Sequence, residues 1–292
     1  MNRDASSCVL RFSCCALALF ACAVALTTAQ STTGPAYRLV WADEFDRPGR
    51  PDPANWTYEA GFVRNNELQW YQPENALVEN GLLVIEGRCE RKPNPNHQAG
   101  ATDWKRSREF AEYTSSSLTT RGLHAWQYGR IEMRARIDTR PGLWPAFWTL
   151  GTAGGWPRCG EVDIMEYYAA TLLANAAWGS AQRGRAVWDA TRTPIASLGA
   201  DWSSHFHVWR MDWDEQRIQI FVDDRLLNEV DLTRTVNEDG TNTNPFRQPH
   251  YLLVNLAIGG TQGGDASKTG FPARYEIDYI RVYQAPTAGK QD

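Results

Sequence analysis

A strict alternation of apolar and charged residues is the feature that most constrains how this chain can fold. The segment YGRIEMRARID (residues 128–138) alternates without a break. Successive side chains of a strand point to opposite faces, so its apolar members would share one face: Ile131, Met133, Ala135 and Ile137. Further strand-like segments recur between turn signals, without long helical periodicity. This pattern predicts an all-β fold, either an antiparallel sandwich or a jelly roll.

Short polar sequences between these segments predict tight turns. Asn80-Gly81 separates two apolar runs, which is a strong hairpin signal. VDDR (222–225) is typical of another turn, and the best helix candidate is a single turn around Asn65–Trp70. No change in composition marks a second domain, so we expect one domain over residues 36–285.

The composition narrows the possible functions. The 292 residues carry a formal net charge of −4, which disfavours nucleic acid or an anionic membrane as the main partner. Thirteen tryptophans are many for this length, and several lie in polar or glycine-rich contexts such as ELQWYQ (67–72) and GTAGGWPRCG (151–160). If these rings are exposed, they would suit stacking on sugars. The alternative is that the tryptophans simply fill the core and indicate no ligand.

Residues 1–29 have the form of a secretory signal peptide. Arg3 and Arg11 flank the start of an apolar run at residues 12–26, and a TTA sequence ends at Ala29. The apolar run is shorter than a membrane-spanning helix requires. We therefore expect a protein that is secreted or periplasmic, with no membrane span.

Four of the six cysteines lie before residue 23. One of them, Cys22, offers an alternative to cleavage after residue 29, namely a lipoprotein anchored at that cysteine. The remaining two are Cys89 and Cys159. An oxidising compartment would permit a disulfide between them, but we expect two unpaired, buried thiols.

The segment GEVDIMEYY (160–168) places Glu161, Asp163 and Glu166 in an otherwise apolar strand. Strict alternation would bury Glu166 among apolar side chains, which is very unfavourable for a charged group. A β-bulge that absorbs one residue near Ile164 or Met165 would return Glu166 to the face of the other two acids. The Cα atoms of the two glutamates would then lie about 13 Å apart, and inward-leaning side chains would bring the carboxyl groups closer.

Three acids on one strand face are also compatible with a solvated surface or with calcium ligands. The aromatic neighbours Trp156, Tyr167 and Tyr168 favour a cleft instead. A pair of carboxyl groups about 5–5.5 Å apart is what a retaining glycosidase needs, and an inverting one needs a wider pair. Metal-dependent and serine hydrolysis have less support, because the sequence contains neither H-E-x-x-H nor G-x-S-x-G.

The segment GWPRCGEVDIMEYY (155–168) resembles the signature of glycoside hydrolase family 16 in its bulged form, E-x-D-x-x-E, which is typical of the laminarinase-like and agarase-like branches. Segments similar to the family's recurrent ones follow in the usual order over nearly all of the chain after the signal: LVWADEF, NNELQWY, SSLTTRG, YGRIEMRARI, LWPAFWTLG, FHVWRMDWDE, FVDDRLL, LLVNLAIGG and YEIDYIRVYQ. The resemblance implies a β-jelly-roll sandwich of the concanavalin A-like type, with a substrate cleft on its concave face.

By motif position, the resemblance implies that Glu161 is the nucleophile and that Glu166 is the general acid and base. Asp163, between them, would keep their charge states apart. Such an enzyme is a retaining endo-β-glycanase that works through a covalent glycosyl-enzyme on a polysaccharide, in this reading a β-1,3- or β-1,3-1,4-glucan. Catalysis would need no cofactor, and we expect a monomer.

The matched segments also imply residues that contact the sugar. These are Trp144, Trp156, Asn65, Asn66, Glu67, Arg130 and Trp178. Asn255 and Gln262 are weaker candidates, and Trp148 is equally compatible with the core. The alternatives for the Asn65–Glu67 loop and for Arg130 are a structural turn and a solvated strand arginine.

Some members of the family bind a structural Ca²⁺ on the convex side of the fold. Glu44 and Asp278 match the positions that would supply carboxylates, with a backbone oxygen near Gly81. Hard oxygen ligands suit calcium. Ordinary acids at strand ends are the alternative.

Two departures from the family pattern leave the substrate open. Many laminarinase-like members carry a histidine on the strand after the catalytic one, where this chain has Asn175 and Trp178. Lys105, Arg106 and Arg108 in an insert are compatible with a charged polysaccharide. An agarase-, porphyranase- or carrageenase-type hydrolase and a transglycosylase therefore stay as alternatives. A non-catalytic carbohydrate-binding protein is disfavoured, because both glutamates are present.

Overall fold

Two β-sheets packed face to face form the architecture of this protein, whose computed structural model describes residues 37–286. The predicted signal peptide and Cys22 lie outside the described residues. Within them, the chain forms the following strands: β1 (Arg38–Asp43), β2 (Thr57–Tyr58), β3 (Gln69–Tyr71), β4 (Ala76–Glu79), β5 (Leu82–Pro93), β6 (Phe110–Ser115), β7 (Ser117–Thr119), β8 (Gly129–Arg136), β9 (Leu143–Gly151), β10 (Glu161–Tyr168), β11 (Thr171–Gly179), β12 (Ala186–Pro194), β13 (His207–Trp213), β14 (Arg217–Val222), β15 (Arg225–Asp231), β16 (His250–Ile258) and β17 (Ala273–Gln284).

The first sheet has ten strands, eight of them in the order β15-β14-β13-β8-β17-β5-β6-β3, with β1 paired to β17 and β4 paired to β5. The second sheet has seven strands in the order β12-β11-β10-β9-β16-β7-β2. Neighbouring strands run antiparallel, except that β3 and β6 run parallel. The prediction of an all-β jelly-roll sandwich is confirmed.

The core lies between the inner faces of the two sheets. On β8, buried residues alternate with half-buried charged ones, as the sequence pattern predicts, and Ile131 and Met133 contribute to the core cluster. Phe147 on β9 and Val254 on β16 belong to the same cluster. The second face of the seven-stranded sheet therefore remains available for a site.

Helices are few and short in the described part of the chain. α1 (Trp104–Ser107) and α2 (Gly260–Gly263) are single turns, and four further one-turn 3₁₀ helices span Pro73–Asn75, Ile195–Leu198, Trp202–Ser204 and Leu232–Arg234. The prediction of a helical turn around Asn65–Trp70 is wrong, because these residues form a loop that leads into β3. No helix among residues 37–286 is long and apolar enough to cross a membrane.

The two cysteines that remain after the signal are unpaired. Cys159 is buried, as expected, whereas Cys89 is exposed. Cys89 lies in the outer half of β5, where the strand extends beyond the core.

The proposed calcium ligands do not fit a calcium site. Both carboxylate oxygens of Glu44 accept hydrogen bonds of 2.7 Å from Arg281, and Asp278 pairs with Arg134. Guanidinium groups thus occupy the positions that a cation would need. Among residues 37–286, no cluster of three or more metal-ligating side chains is present.

The Asn80-Gly81 turn joins β4 to β5, which confirms the predicted hairpin. Both residues have positive φ, 53° for Asn80 and 75° for Gly81, as a type I′ turn requires.

We expect Gly81→Ala to lower the free energy of unfolding by about 1 kcal/mol, because a Cβ atom disfavours the left-handed backbone. The melting temperature should fall by about 2–4 °C. Gly155→Ala is the control: a Cβ there also meets open space, but Gly155 lacks a positive φ. Equal melting temperatures for the two variants would contradict the prediction.

Candidate active site

A β-bulge in β10 gives this protein its cluster of acids. Asp163 pairs with Asn175 on β11, and the next pair is Glu166 with Leu173, so β10 uses one residue more than its partner. The same shift occurs against β9, between Asp163 and Met165. Ile164 and Met165 both join the core cluster, and Glu161, Asp163 and Glu166 all line the opposite face. The predicted bulge is confirmed at the predicted place.

The acids lie in a cavity of about 760 Å³ on the outer face of the seven-stranded sheet, a size typical of ligand sites. Its floor comes from β9, β10, β11 and β16, and β12 forms one side. The loop before β3 and the residues around α2 complete the lining. Aromatic rings and carboxyl groups face each other across this cavity.

Each glutamate accepts a hydrogen bond from an indole N–H. Trp156 donates to Oε2 of Glu161 at 2.8 Å, and Trp144 donates to Oε1 of Glu166 at 2.8 Å. Both tryptophans also line the cavity. The indoles therefore orient the two carboxyl groups and shape the site.

Asn175 on β11 links the other two carboxyl groups. Its Nδ2 donates to Oδ2 of Asp163 at 3.0 Å and to Oε2 of Glu166 at 3.1 Å. Because of the bulge, a single cross-strand amide reaches both acids.

The pKa values of the three acids are all raised. Burial and the charges of Asp163 and Glu166 raise the pKa of Glu161 well above its ordinary value. Burial raises the pKa of Asp163 to about 7, and burial together with the Asp163 charge raises the pKa of Glu166 to about 8. The three groups titrate together, so at neutral pH the cluster holds at least one proton that an acid catalyst can donate.

A second polar network borders the cavity beyond β9. The Arg64 guanidinium lies 5.0 Å from the Trp148 ring centre and pairs with Glu59. The Trp148 indole donates to Oδ1 of Asn255 at 2.8 Å, and Gln69 donates to the buried Glu67 at 2.8 Å. These contacts present a flat ring and a cation to the same cavity.

The structure brings together most of the residues that the sequence implies as sugar contacts. Trp144, Trp156, Asn65 and Glu67 line the cavity. Asn255, Gln262 and Trp148, which were weaker or ambiguous candidates, line it as well. Asn66 does not line it: its backbone oxygen accepts a hydrogen bond from Arg108 instead.

Two of the predicted contacts are wrong. Arg130 lies on β8 in the other sheet, facing away from the core, where its Nε and Nη2 donate to Asp212 at 2.7 and 3.0 Å. Trp178 points into the core and packs against Phe246 with ring centres 6.4 Å apart. Trp178 is an odd number of residues from Asn175, so strand alternation itself places it on the other face.

The predicted basic insert forms α1 and its flanks. Arg106 pairs with Asp103, and the Arg108 guanidinium lies 5.0 Å from the ring centres of Phe62 and Trp104. The Arg108 guanidinium also donates hydrogen bonds to the backbone oxygens of Asn66 and Glu67. Its role is therefore to stabilise the Asn65–Glu67 loop.

Three charged or aromatic residues of the cavity are not predicted from the sequence: Arg64, Trp188 and Arg192. Trp188 is 47% exposed and Arg192 lies on the same face of β12. The strand register aligns them with the acids, in the rows Glu161–Ala177–Trp188 and Glu166–Leu173–Arg192. Only the pairing of β12 with β11 shows this relation, although the alternating VWDATRT sequence already indicates a strand.

Comparison with known proteins shows that this chain is similar to glycoside hydrolases in sequence and in fold. The model of the family "Glycosyl hydrolases family 16" matches residues 89–281. A beta-glucanase of Rhodothermus marinus is 37% identical over 279 residues, covering 87% of this chain and 88% of that protein. Among solved structures, the catalytic domain of an endo-1,3-beta-glucanase (laminarinase) from Thermotoga petrophila has a TM-score of 0.71 at 34% identity, covering 87% of this chain and 100% of that one. A structure from work on endo-acting O-glycanases of the human gut microbiota has a TM-score of 0.78 at 35% identity, covering 86% of this chain and 91% of that one.

We expect Glu166→Gln to raise the melting temperature above that of the unaltered protein at pH 8.5, and to raise it less at pH 5. The folded pKa of Glu166, about 8, lies above its ordinary value of 4.5. Its contribution to stability is therefore full below about pH 4.5 and is lost as pH rises through 8. A neutral amide does not titrate, so the variant escapes this loss.

Thermal unfolding across pH 5–8.5 tests the sign. Glu112→Gln, at an exposed position in β6, is the control and should match the unaltered protein at every pH. A Glu166→Gln variant whose stability falls with pH as steeply as that of the unaltered protein would contradict the raised pKa.

Proposed function

This chain belongs to glycoside hydrolase family 16, and we propose that it is a secreted endo-β-glucanase that cleaves β-1,3- or mixed β-1,3-1,4-glucan with retention of anomeric configuration. Glu161 is the nucleophile, Glu166 is the general acid and base, and Asp163 modulates both. The single observation that carries this assignment is the bulged strand: it puts three carboxyl groups on the cavity face of β10, with an indole donor on each glutamate.

In the first step, the nucleophile attacks the anomeric carbon of the sugar. Trp156 holds Oε2 of Glu161, which leaves Oε1 for the attack. The bond from the anomeric carbon to the glycosidic oxygen breaks as the bond to Oε1 forms, and the carboxyl proton of Glu166 passes to the departing oxygen. The products are a covalent glycosyl-enzyme, a released sugar chain and an ionised Glu166.

In the second step, Glu166 acts as a base. It removes a proton from a water molecule, whose oxygen attacks the anomeric carbon and displaces the Glu161 carboxylate. Two inversions give net retention, and both residues return to their starting states. The raised pKa of Glu166 supports its part in this cycle, since Glu166 must be protonated before the first step and ionised before the second.

The shape of the cavity supports a polymeric substrate. From β16 to β12 the floor crosses five neighbouring strands, a width of about 19 Å at about 4.8 Å per strand. Trp148 lies on one side of β10 and Trp188 on the other. A glucan chain that crosses the strands would contact both sides, as an internal cut requires. The beta-glucanase and laminarinase relatives support β-glucan as the substrate class.

A glycan other than β-glucan is the second candidate. The solved structure with the TM-score of 0.78 comes from work on endo-acting O-glycanases and mucin breakdown. Agarose, porphyran and carrageenan therefore belong in the same substrate screen as the glucans.

Export is part of the same proposal. The charged start, apolar run and TTA sequence of residues 1–29 support cleavage after Ala29, which would place the enzyme where extracellular polysaccharide is available.

We expect the chain from residue 30 onward to release reducing sugar from laminarin or mixed-linkage glucan, and Glu161→Gln to lower kcat by about 10³-fold or more without lowering the melting temperature. Proton NMR of the first products should show the β-anomer before mutarotation. Glu112→Gln serves as the folded control.

Near-normal activity of Glu161→Gln would overturn the assignment of the nucleophile. An α-anomer as first product would overturn retention. Polysaccharide binding without turnover on any tested glycan would favour a carbohydrate-binding protein, and longer products with an added acceptor sugar would favour a transglycosylase.

We expect Trp188→Ala to raise KM for long glucans about three- to tenfold with little change in kcat, because the exposed ring on β12 stacks on a bound sugar and makes none of the hydrogen bonds to the acids. Leu226→Ala is the control, since Leu226 is equally exposed, at 47%, but lies on β15 of the other sheet. An unchanged KM for Trp188→Ala would place this ring outside the binding path.

A further inference from the structure

Asn175 is the only side chain for which the structure shows hydrogen bonds to two of the three acids in the described part of the chain. It is 4% exposed and lies directly opposite Asp163 on the neighbouring strand. Both of its hydrogen bonds use Nδ2, which has two hydrogens and so serves one acid with each. The amide group thus has no donor left for any other contact.

The other end of the same amide is unsatisfied. Oδ1 of Asn175 is buried and has no hydrogen-bond partner. A buried acceptor without a partner costs free energy, and turning the amide over would place this oxygen against two carboxyl groups. The acids, and not the surroundings of Oδ1, therefore dictate the orientation of Asn175.

We propose that Asn175 is a positioning residue, which holds Glu166 at a fixed distance from Asp163 and sets the pH at which Glu166 releases its proton. This inference rests on the proposed function, because it concerns the acid and base of that reaction. The bulge makes the arrangement possible: it turns Glu166 back toward the strand position that Asn175 already faces.

The direction of the pH effect follows from the donors. An N–H group that donates to a carboxylate stabilises the ionised form, and Asn175 lowers the pKa of both Asp163 and Glu166 relative to burial alone. Without it, Glu166 would hold its proton to a higher pH. When Asn175 is replaced, the basic limb of the kcat–pH profile, in which activity falls as pH rises, should therefore move to higher pH.

The other charged groups around Glu166 remain in place when Asn175 is replaced. Glu161, Asp163 and Tyr168 lie on its own strand, and Arg192 faces it from β12. Arg64 lies on the far side of the cavity, and β9 presents uncharged side chains. Of these groups, Asp163 alone makes a hydrogen bond to Asn175.

The test compares Asn175→Leu and Asn175→Ala with the unaltered enzyme. Leu has nearly the same size, loses both donors and adds no charge, whereas Ala loses the side chain. For each, we expect kcat to fall about 10- to 100-fold, KM to stay within about twofold, and the basic limb of the kcat–pH profile to move up by about one unit.

Asn228 offers a matched control. It is also a buried asparagine whose Nδ2 donates to a carboxylate, Asp189 at 3.1 Å, and to the β11 backbone. Asn228→Ala should lose stability and keep the position of the basic limb. Melting temperatures of all variants separate loss of fold from loss of function.

An unshifted basic limb in folded Asn175→Leu would overturn the inference, and so would unchanged kcat. If Asn175→Ala does not fold, Asn175→Leu still decides the outcome because it conserves side-chain size. A failure of this inference leaves the unaltered enzyme active and Glu161→Gln inactive. A failure of the proposed function leaves either Glu161→Gln active or the unaltered protein without turnover, so the two are distinguishable.

Discussion

One extra residue in a single strand is the constraint on which this site depends. β10 lies in the middle of the seven-stranded sheet, and it must supply side chains to the core while it presents acids to the cavity. Regular alternation satisfies both demands only for acids an even number of residues apart. The bulge at Ile164 and Met165 buries two consecutive apolar residues and lets a third acid join the cavity face. Every contact of Glu166, including those from Trp144 and Asn175, follows from that displacement.

The concentration of acids is unfavourable for the fold and useful for chemistry. Burial raises the pKa values of all three carboxyl groups, and neighbouring carboxylates raise those of Glu161 and Glu166 further. Hydrogen bonds that side chains on β9, on β11 and in the loop before β10 donate to the acids offset part of this free-energy cost. Burial of apolar side chains in the large core between the two sheets compensates for the destabilising effect of this site.

The sequence predicts some parts of this structure well because their physical causes are local. The bulge follows from one acid that alternation would bury, and the β4–β5 hairpin follows from Asn80-Gly81. The prediction for Arg130 was wrong because the position of β8 depends on distant strand pairing. β8 pairs with β13, which brings Arg130 beside Asp212, 82 residues further along the chain. Trp188 was missed because its relation to Glu161 passes through two strand pairings. Local patterns thus define each strand's faces, whereas the assignment of a face to the cavity depends on distant pairing.

Cross-strand pairing aligns the acids of β10 with Trp188 and Arg192 of β12. The positions of the side chains in the cavity are therefore set by two independent spacings, one along the strands and one across them. Steps along a strand, about 3.3 Å each, set the spacing of the acids, and steps across the sheet, about 4.8 Å each, set the width of the cavity floor. β12 is an edge strand, so its residues can change without disturbing the geometry of β10. Over evolution, the length and chemistry of the recognised glycan can therefore diversify at the edge of the sheet while the reaction at its centre stays the same.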